Sequence, residues 1–272
     1  MKNLSNVYTV DLSAKLEDIA EFDKIGNFSF NQAEMLDIQN MSSIAIGYLK
    51  LSLHAYEKEK EIVLDIKQDP NNLVESLFNV YDLSLCLSSP EIAKTSCQSM
   101  ISIYNMLIEN NNTTDKYKEE LAFRHELLAE LYLDEENIEQ AKLHVQKSIN
   151  ILTQLSQDDL YYNTDLATAL TCMGTIIHDF EHNLSEAIKL YEQAKEIFEK
   201  EIDLDPDSID DIDNFHTKLK TLLVYYDESN DSDNYQKIEL KIKQMESLQA
   251  ERKKKYLLRI PAPTLCPDLN SN

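Results

Sequence analysis

Only three of the 272 residues are glycine, Gly26, Gly47 and Gly174. Three glycines cannot supply the tight, positive-φ turns that phosphate-cradling loops, dinucleotide folds and most β-hairpins need. An all-helical chain is the architecture left, and an apolar content of 43% is enough to fill a core at this length.

Charge bounds the partners. The chain holds 26 basic against 49 acidic residues, a net charge of −23. Such a surface repels nucleic-acid phosphate and anionic lipid and favours basic polypeptides at long range, so neither nucleic acid nor membrane is an expected partner. Residues 235–272 carry eight Lys or Arg against four acids, which leaves −27 on 1–234. Cys86, Cys97, Cys172 and Cys266 form no C-x-x-C pair and read as small core residues of a reducing compartment. Asp11, Glu17, Asp18, Glu21 and Asp23 interrupt what a secretory leader would keep apolar, and no apolar run reaches membrane-span length. The expected location is cytoplasmic, or nuclear if Arg252-Lys253-Lys254-Lys255 is a localisation patch. The same run also reads as a solvated helix end complementing its dipole, or as a stretch folding onto the acidic body.

A long period organises the chain. Leu128-Ala129-Glu130-Leu131-Tyr132 is followed by Asn137-Ile138-Glu139-Gln140-Ala141, then Val145, Ser148 and Leu152. The small residues Ala129 and Ala141, across a short polar turn, let two antiparallel helices approach. Leu170, Met173-Gly174 and Ile177, then Leu184, Ala187, Tyr191 and Ala194, repeat the pattern with one extra residue in the turn. Aligning the small residue of each second helix gives Ala45, Ala93, Ala141, Ala187 and, more weakly, Tyr235, with spacings of 48, 48, 46 and 48. Asp69-Pro70-Asn71-Asn72, Ser88-Ser89-Pro90-Glu91, Asn110 to Asp115, and Asp203 to Asp213 punctuate the units.

These units resemble the tetratricopeptide repeat, and 122–202 is most similar to the long repeats of kinesin-light-chain-type proteins. The resemblance implies an all-α, right-handed superhelical array of antiparallel helix pairs, about ten to twelve helices in all. The expected division is an N-terminal helix at 1–25, repeats over 26–234, a capping helix with a basic end at 235–260, and a flexible tail at 261–272.

No catalytic constellation is present. His178-Asp179-Phe180-Glu181-His182 places two histidines four apart, but Asp179 stands where a zinc-protease helix needs Glu and His182 falls in the turn. His125 and His144 stand at helical positions that could face each other. There is no Ser-centred elbow, Walker loop or Cys/His cluster, so no enzyme activity, cofactor or metal is expected.

A binding surface remains. The resemblance implies a concave groove built by positions 2, 5, 9, 12 and 13 of each first helix. Glu34, Asp37, Glu75, Asp82, Glu126, Glu130, Asp134, Asp179, Asp227 and Glu228 fall there, against one basic residue, Lys220. The candidate partner-binding residues are Glu75, Phe78, Asp82, Phe123, Glu126, Glu130, Leu133, Asp134, Thr171, Thr175, His178 and Asp179, with Phe78, Phe123 and Leu133 as apolar anchors. Positions 5 and 9 hold Phe78 and Asp82, Glu126 and Glu130, Thr171 and Thr175, where a clamp for Hsp70 or Hsp90 C-terminal carboxylates needs Lys and Asn. The expected function is a non-enzymatic scaffold or adaptor, monomeric or homodimeric, whose acidic groove takes a basic or mixed-polarity peptide or helix. Two alternatives are a chaperone or escort of a strongly basic client, and a regulatory module with the basic tail bound in cis.

Overall fold

The computed structural model describes residues 2–38, 42–66, 71–110, 114–204 and 209–259. Ten α-helices lie among them: α1 (Lys2–Ile38), α2 (Ser42–Ile66), α3 (Asn71–Cys86), α4 (Pro90–Glu109), α5 (Asp115–Asp134), α6 (Ile138–Asp158), α7 (Asn163–Glu181), α8 (Leu184–Leu204), α9 (Ile209–Glu228) and α10 (Ser232–Arg259), with a 3₁₀ turn at Leu160–Tyr162. No strand occurs among the described residues. The chain divides into two compact units, Met1–Asp158 with α1–α6 and Asp159–Asn272 with α7–α10. Within each unit, successive helices pair as hairpins, α1 with α2, α3 with α4, α5 with α6, α7 with α8 and α9 with α10.

Apolar periodicity explains the pairing. In α4, Ile92, Ala93, Cys97, Met100, Ile103, Tyr104 and Leu107 are buried at spacings of three and four, one face of a helix. In α7 and α8 the close approach is made by Gly174, where an added Cβ would lie 2.8 Å from Tyr191 Cδ2. Gly26 does the same in the first hairpin: a Cβ there would lie 2.4 Å from Tyr56 Cε1, and the Ser52 hydroxyl donates to the Gly26 carbonyl at 2.9 Å.

Four hairpin turns share a backbone device that glycine scarcity did not forbid. Ser88, Glu136, His182 and Asn230 adopt φ of 52, 57, 54 and 57°, while no described glycine has a positive φ. The amides of Ser89, Asn137 and Asp231 then donate back to Ser84, Tyr132 and Tyr226 carbonyls at 2.8, 2.8 and 3.0 Å, the long bond of a Schellman turn. In the third turn, Asn183 reaches one residue further, to Ile177 at 3.2 Å, which accommodates the extra residue. The next helix opens on a side-chain cap at three of them: Asn137, Asn183 and Asp231 accept from the amides of Gln140, Glu186 and Asn234. Each left-handed residue stands five before Ala93, Ala141, Ala187 or Tyr235, so Tyr235 occupies the same place in its hairpin as the three alanines.

The helix expected over 1–25 belongs to a longer one, α1, which runs unbroken through Ile25 and Gly26 to Ile38. Ile19 is buried on it, whereas Ala20 and Ile25 are exposed. The capping helix expected from 235 begins at Ser232 and ends at Arg259. The breaks at 69–70, 111–113 and 205–208, the tail 261–272 and the side chains of Lys253 to Lys255 lie outside the described residues. Among the described residues, no helix is long and apolar enough to cross a membrane.

Candidate functional site

In the first unit, the expected groove residues sit on α3 and α5. Glu75 and Asp82 are exposed on α3, with Phe78 half-buried between them and stacked on Tyr81 at 6.0 Å. On α5, Phe123 is exposed, Glu130 and Asp134 are exposed, and Leu133 is half-buried. Glu75, Asp82, Glu130 and Asp134 take part in no ion pair among the described residues. Lost hydration, then the charge of Asp134, pushes the Glu130 carboxyl above the usual range. Lost hydration likewise raises the Asp82 carboxyl, although the Arg124 charge pulls it down. Glu126 differs from its neighbours: half-buried, it accepts the Ser148 hydroxyl at 2.6 Å and helps tie α5 to α6.

Arg124, absent from the expected groove, lies against two of these side chains, Phe78 and Phe123. Its Cζ lies 4.7 Å from the Phe78 ring centre and 4.9 Å from that of Phe123, a cation held between two π-faces. Its Nη2 donates to Glu120 Oε2 at 2.9 Å, and Glu120 also accepts from the Tyr104 hydroxyl at 3.4 Å. A cleft of about 670 Å³ opens beside it, lined from α3 by Asn71, Val74, Glu75 and Phe78, and from the start of α5 by Thr114, Lys116, Tyr117 and Glu120. The sequence signal was faint: Glu120 and Arg124 stand four apart, the spacing of an ordinary surface ion pair.

A second cleft, of about 580 Å³, lies between α4 and α6 over α5. His125 and His144 form part of its lining with their Nδ1 atoms 2.9 Å apart, and His144 stacks on Tyr132. Burial holds His125 down to about 3 and His144 to about 4, with the Lys147 charge adding to both, so the pair is neutral and one Nδ1–H donates to the other ring.

In the second unit, the expected residues behave differently. Thr171 is 1% exposed and donates to the Thr168 carbonyl at 2.9 Å, so burial removes it from any partner surface. Thr175 shares a hydrogen bond with the Tyr191 hydroxyl at 2.8 Å, one more link between α7 and α8. His178 lies between Asp179 at 2.7 Å and Glu228 at 2.8 Å, stacked on Tyr225 at 4.3 Å. Those two carboxylates raise its pKa, first through their hydrogen bonds and then through their charge. Both ring nitrogens are thus engaged by acids of α7 and α9, and Asp179 is exposed but partnered.

No family model and no curated protein matches the chain. Among solved structures it is similar to BtubC (BKLC) from P. vanneervenii, at 14% identity over 95% of this chain and 98% of that one, with a TM-score of 0.51. It is also similar to a putative kinesin light chain with nearly identical TPR-like repeats from Podosopora anserina, at 13% identity over 84% and 96% with a TM-score of 0.46. A third similarity is to YrrB, a TPR protein with an unusual peptide-binding site, at 13% identity over 83% and 90% with a TM-score of 0.35. Identity this low speaks of the fold alone, and the fold shared with BtubC is an all-α array of helix hairpins.

Proposed function

We propose that this TPR-like array is a non-enzymatic protein-interaction scaffold whose α3–α5 face takes a basic or mixed-polarity segment of a partner. The observation that carries the reading is the set Asp82, Glu130 and Asp134: three exposed carboxylates, in no ion pair among the described residues, on the same two helices as the half-buried Phe78 and Leu133. Desolvation of Asp82 and Glu130, with the Asp134 charge adding at Glu130, disfavours the two carboxylates, and an incoming ammonium or guanidinium relieves it. The rings supply apolar area at low entropy cost.

The test uses fluorescence anisotropy with labelled 15-residue peptides alternating Lys or Arg with Leu, against the same peptides with Glu in place of the cations. Basic peptides should bind and acidic ones should not. Combined Asp82→Lys, Glu130→Lys and Asp134→Lys should weaken binding at least about tenfold, roughly 1.4 kcal/mol. Unchanged affinity in that variant, with its helicity intact, sinks the reading.

A further inference from the structure

Arg124 is a buried guanidinium that the fold leaves short of acceptors. Its side chain is 7% exposed, Glu120 takes Nη2, and Nε and Nη1 are buried without a hydrogen-bond acceptor. Native interiors pair such donors, and an unpaired one is costly. The cleft that Arg124 lines supplies the surroundings of an anion seat. The start of α5 opens onto it at Thr114, and Lys116 stands on its lining, exposed and in no ion pair among the described residues. A helix N-terminus presents the positive end of its dipole. Glu75 opposes an anion from the exposed rim, while Glu120 is already engaged by Arg124 and Tyr104. Phe123 covers the guanidinium with a ring that is 44% exposed, so the core does not hold it there.

We infer that the α3–α5 cleft seats one anionic group, a carboxylate or a phosphate, on the open N–H donors of Arg124 once Phe123 swings aside. The inference rests on the reading of α3–α5 as the binding face, and adds that the bound segment carries an acidic group among its basic residues. The seat differs from a carboxylate clamp, whose positions on these helices hold Phe78, Asp82, Glu126 and Glu130.

The chain has only three arginines, Arg124, Arg252 and Arg259, so ¹⁵N-arginine labelling of the full chain yields three Nε–H signals. Glutarate and inorganic phosphate are titrated separately at constant ionic strength. The Arg124 signal, assigned by its loss in Arg124→Lys or, if that variant does not fold, by its displacement in Phe123→Ala, should shift saturably while the other two stay still. Saturation with glutarate assigns the seat to an acidic side chain, and saturation with phosphate assigns it to a phosphorylated one. Phe123→Ala should lower the apparent Kd severalfold, because the uncovered form becomes the resting form. No saturable shift of Arg124 in either the parent or Phe123→Ala, or a common drift of all three signals, overturns the seat. Small anions probe the anion seat and not the acidic face, so that failure leaves basic-peptide binding standing, and loss of basic-peptide binding leaves a saturable Arg124 standing.

Discussion

His125 and His144 share a hydrogen bond across the α5–α6 interface, Nδ1 to Nδ1 at 2.9 Å, with both residues less than a tenth exposed. The bond exists only while at least one ring is neutral. Unfolded histidine titrates near 6.5, and burial holds the folded pair at about 3 and about 4. The unfolded chain therefore binds more protons below pH 6.5. The stability these rings contribute is full above that pH and is lost as pH falls towards 4. Between pH 7 and pH 5, each ring should cost on the order of 2 kcal/mol of unfolding free energy, measured by urea titration at the two pH values.

Glu59 has the opposite sign. It is 6% exposed with Oε2 unpartnered, and burial, then the charge of Asp23, raises its carboxyl to about 7. Its contribution is full below the unfolded value of 4.5 and is lost as pH rises through 7. Glu59→Gln removes this offset. The variant should be more stable than the parent at pH 7, by about 1–2 kcal/mol, and should lose more stability than the parent on acidification to pH 5. Parallel pH profiles for the two proteins would show that Glu59 is ionised and solvated.

Gly26 and Gly47 should respond oppositely to alanine. A Cβ at Gly26 drives into the fully buried Tyr56 ring, so Gly26→Ala should destabilise by about 1–3 kcal/mol. Nothing lies within 4 Å of a Cβ at Gly47 in α2, so Gly47→Ala should stabilise by about 0.5–1 kcal/mol through helix propensity. Denaturation midpoints of the two single variants decide both.

The left-handed turn residues are sites of stored backbone cost. Glu136 is exposed with φ of 57°, so Glu136→Gly should raise stability by about 0.5–1 kcal/mol. The same substitution at Leu143, exposed within α6, should lower it by about 1 kcal/mol. Equal effects at the two positions would contradict the turn geometry.

Local pattern determined the helical class and the hairpin register. The aligned positions Ala93, Ala141, Ala187 and Tyr235, spaced by 48, 46 and 48, mark where each chain reversal falls, and the turns at 88, 136, 182 and 230 keep the same spacing. These are properties of neighbouring residues, set by propensity and by apolar spacing along one helix. They also reached the burial of Ala93, Ala141 and Ala187, each wholly enclosed. Only tertiary structure decided what each face meets. Arg124 looks like a surface residue with its i−4 glutamate, yet helix rotation places it between Phe78 and Phe123; Thr171 looks accessible, yet the same packing buries it. Periodicity says which way a side chain points from its own axis, whereas the crossing of α3, α5 and their partners sets which side chains from distant sequence share a space.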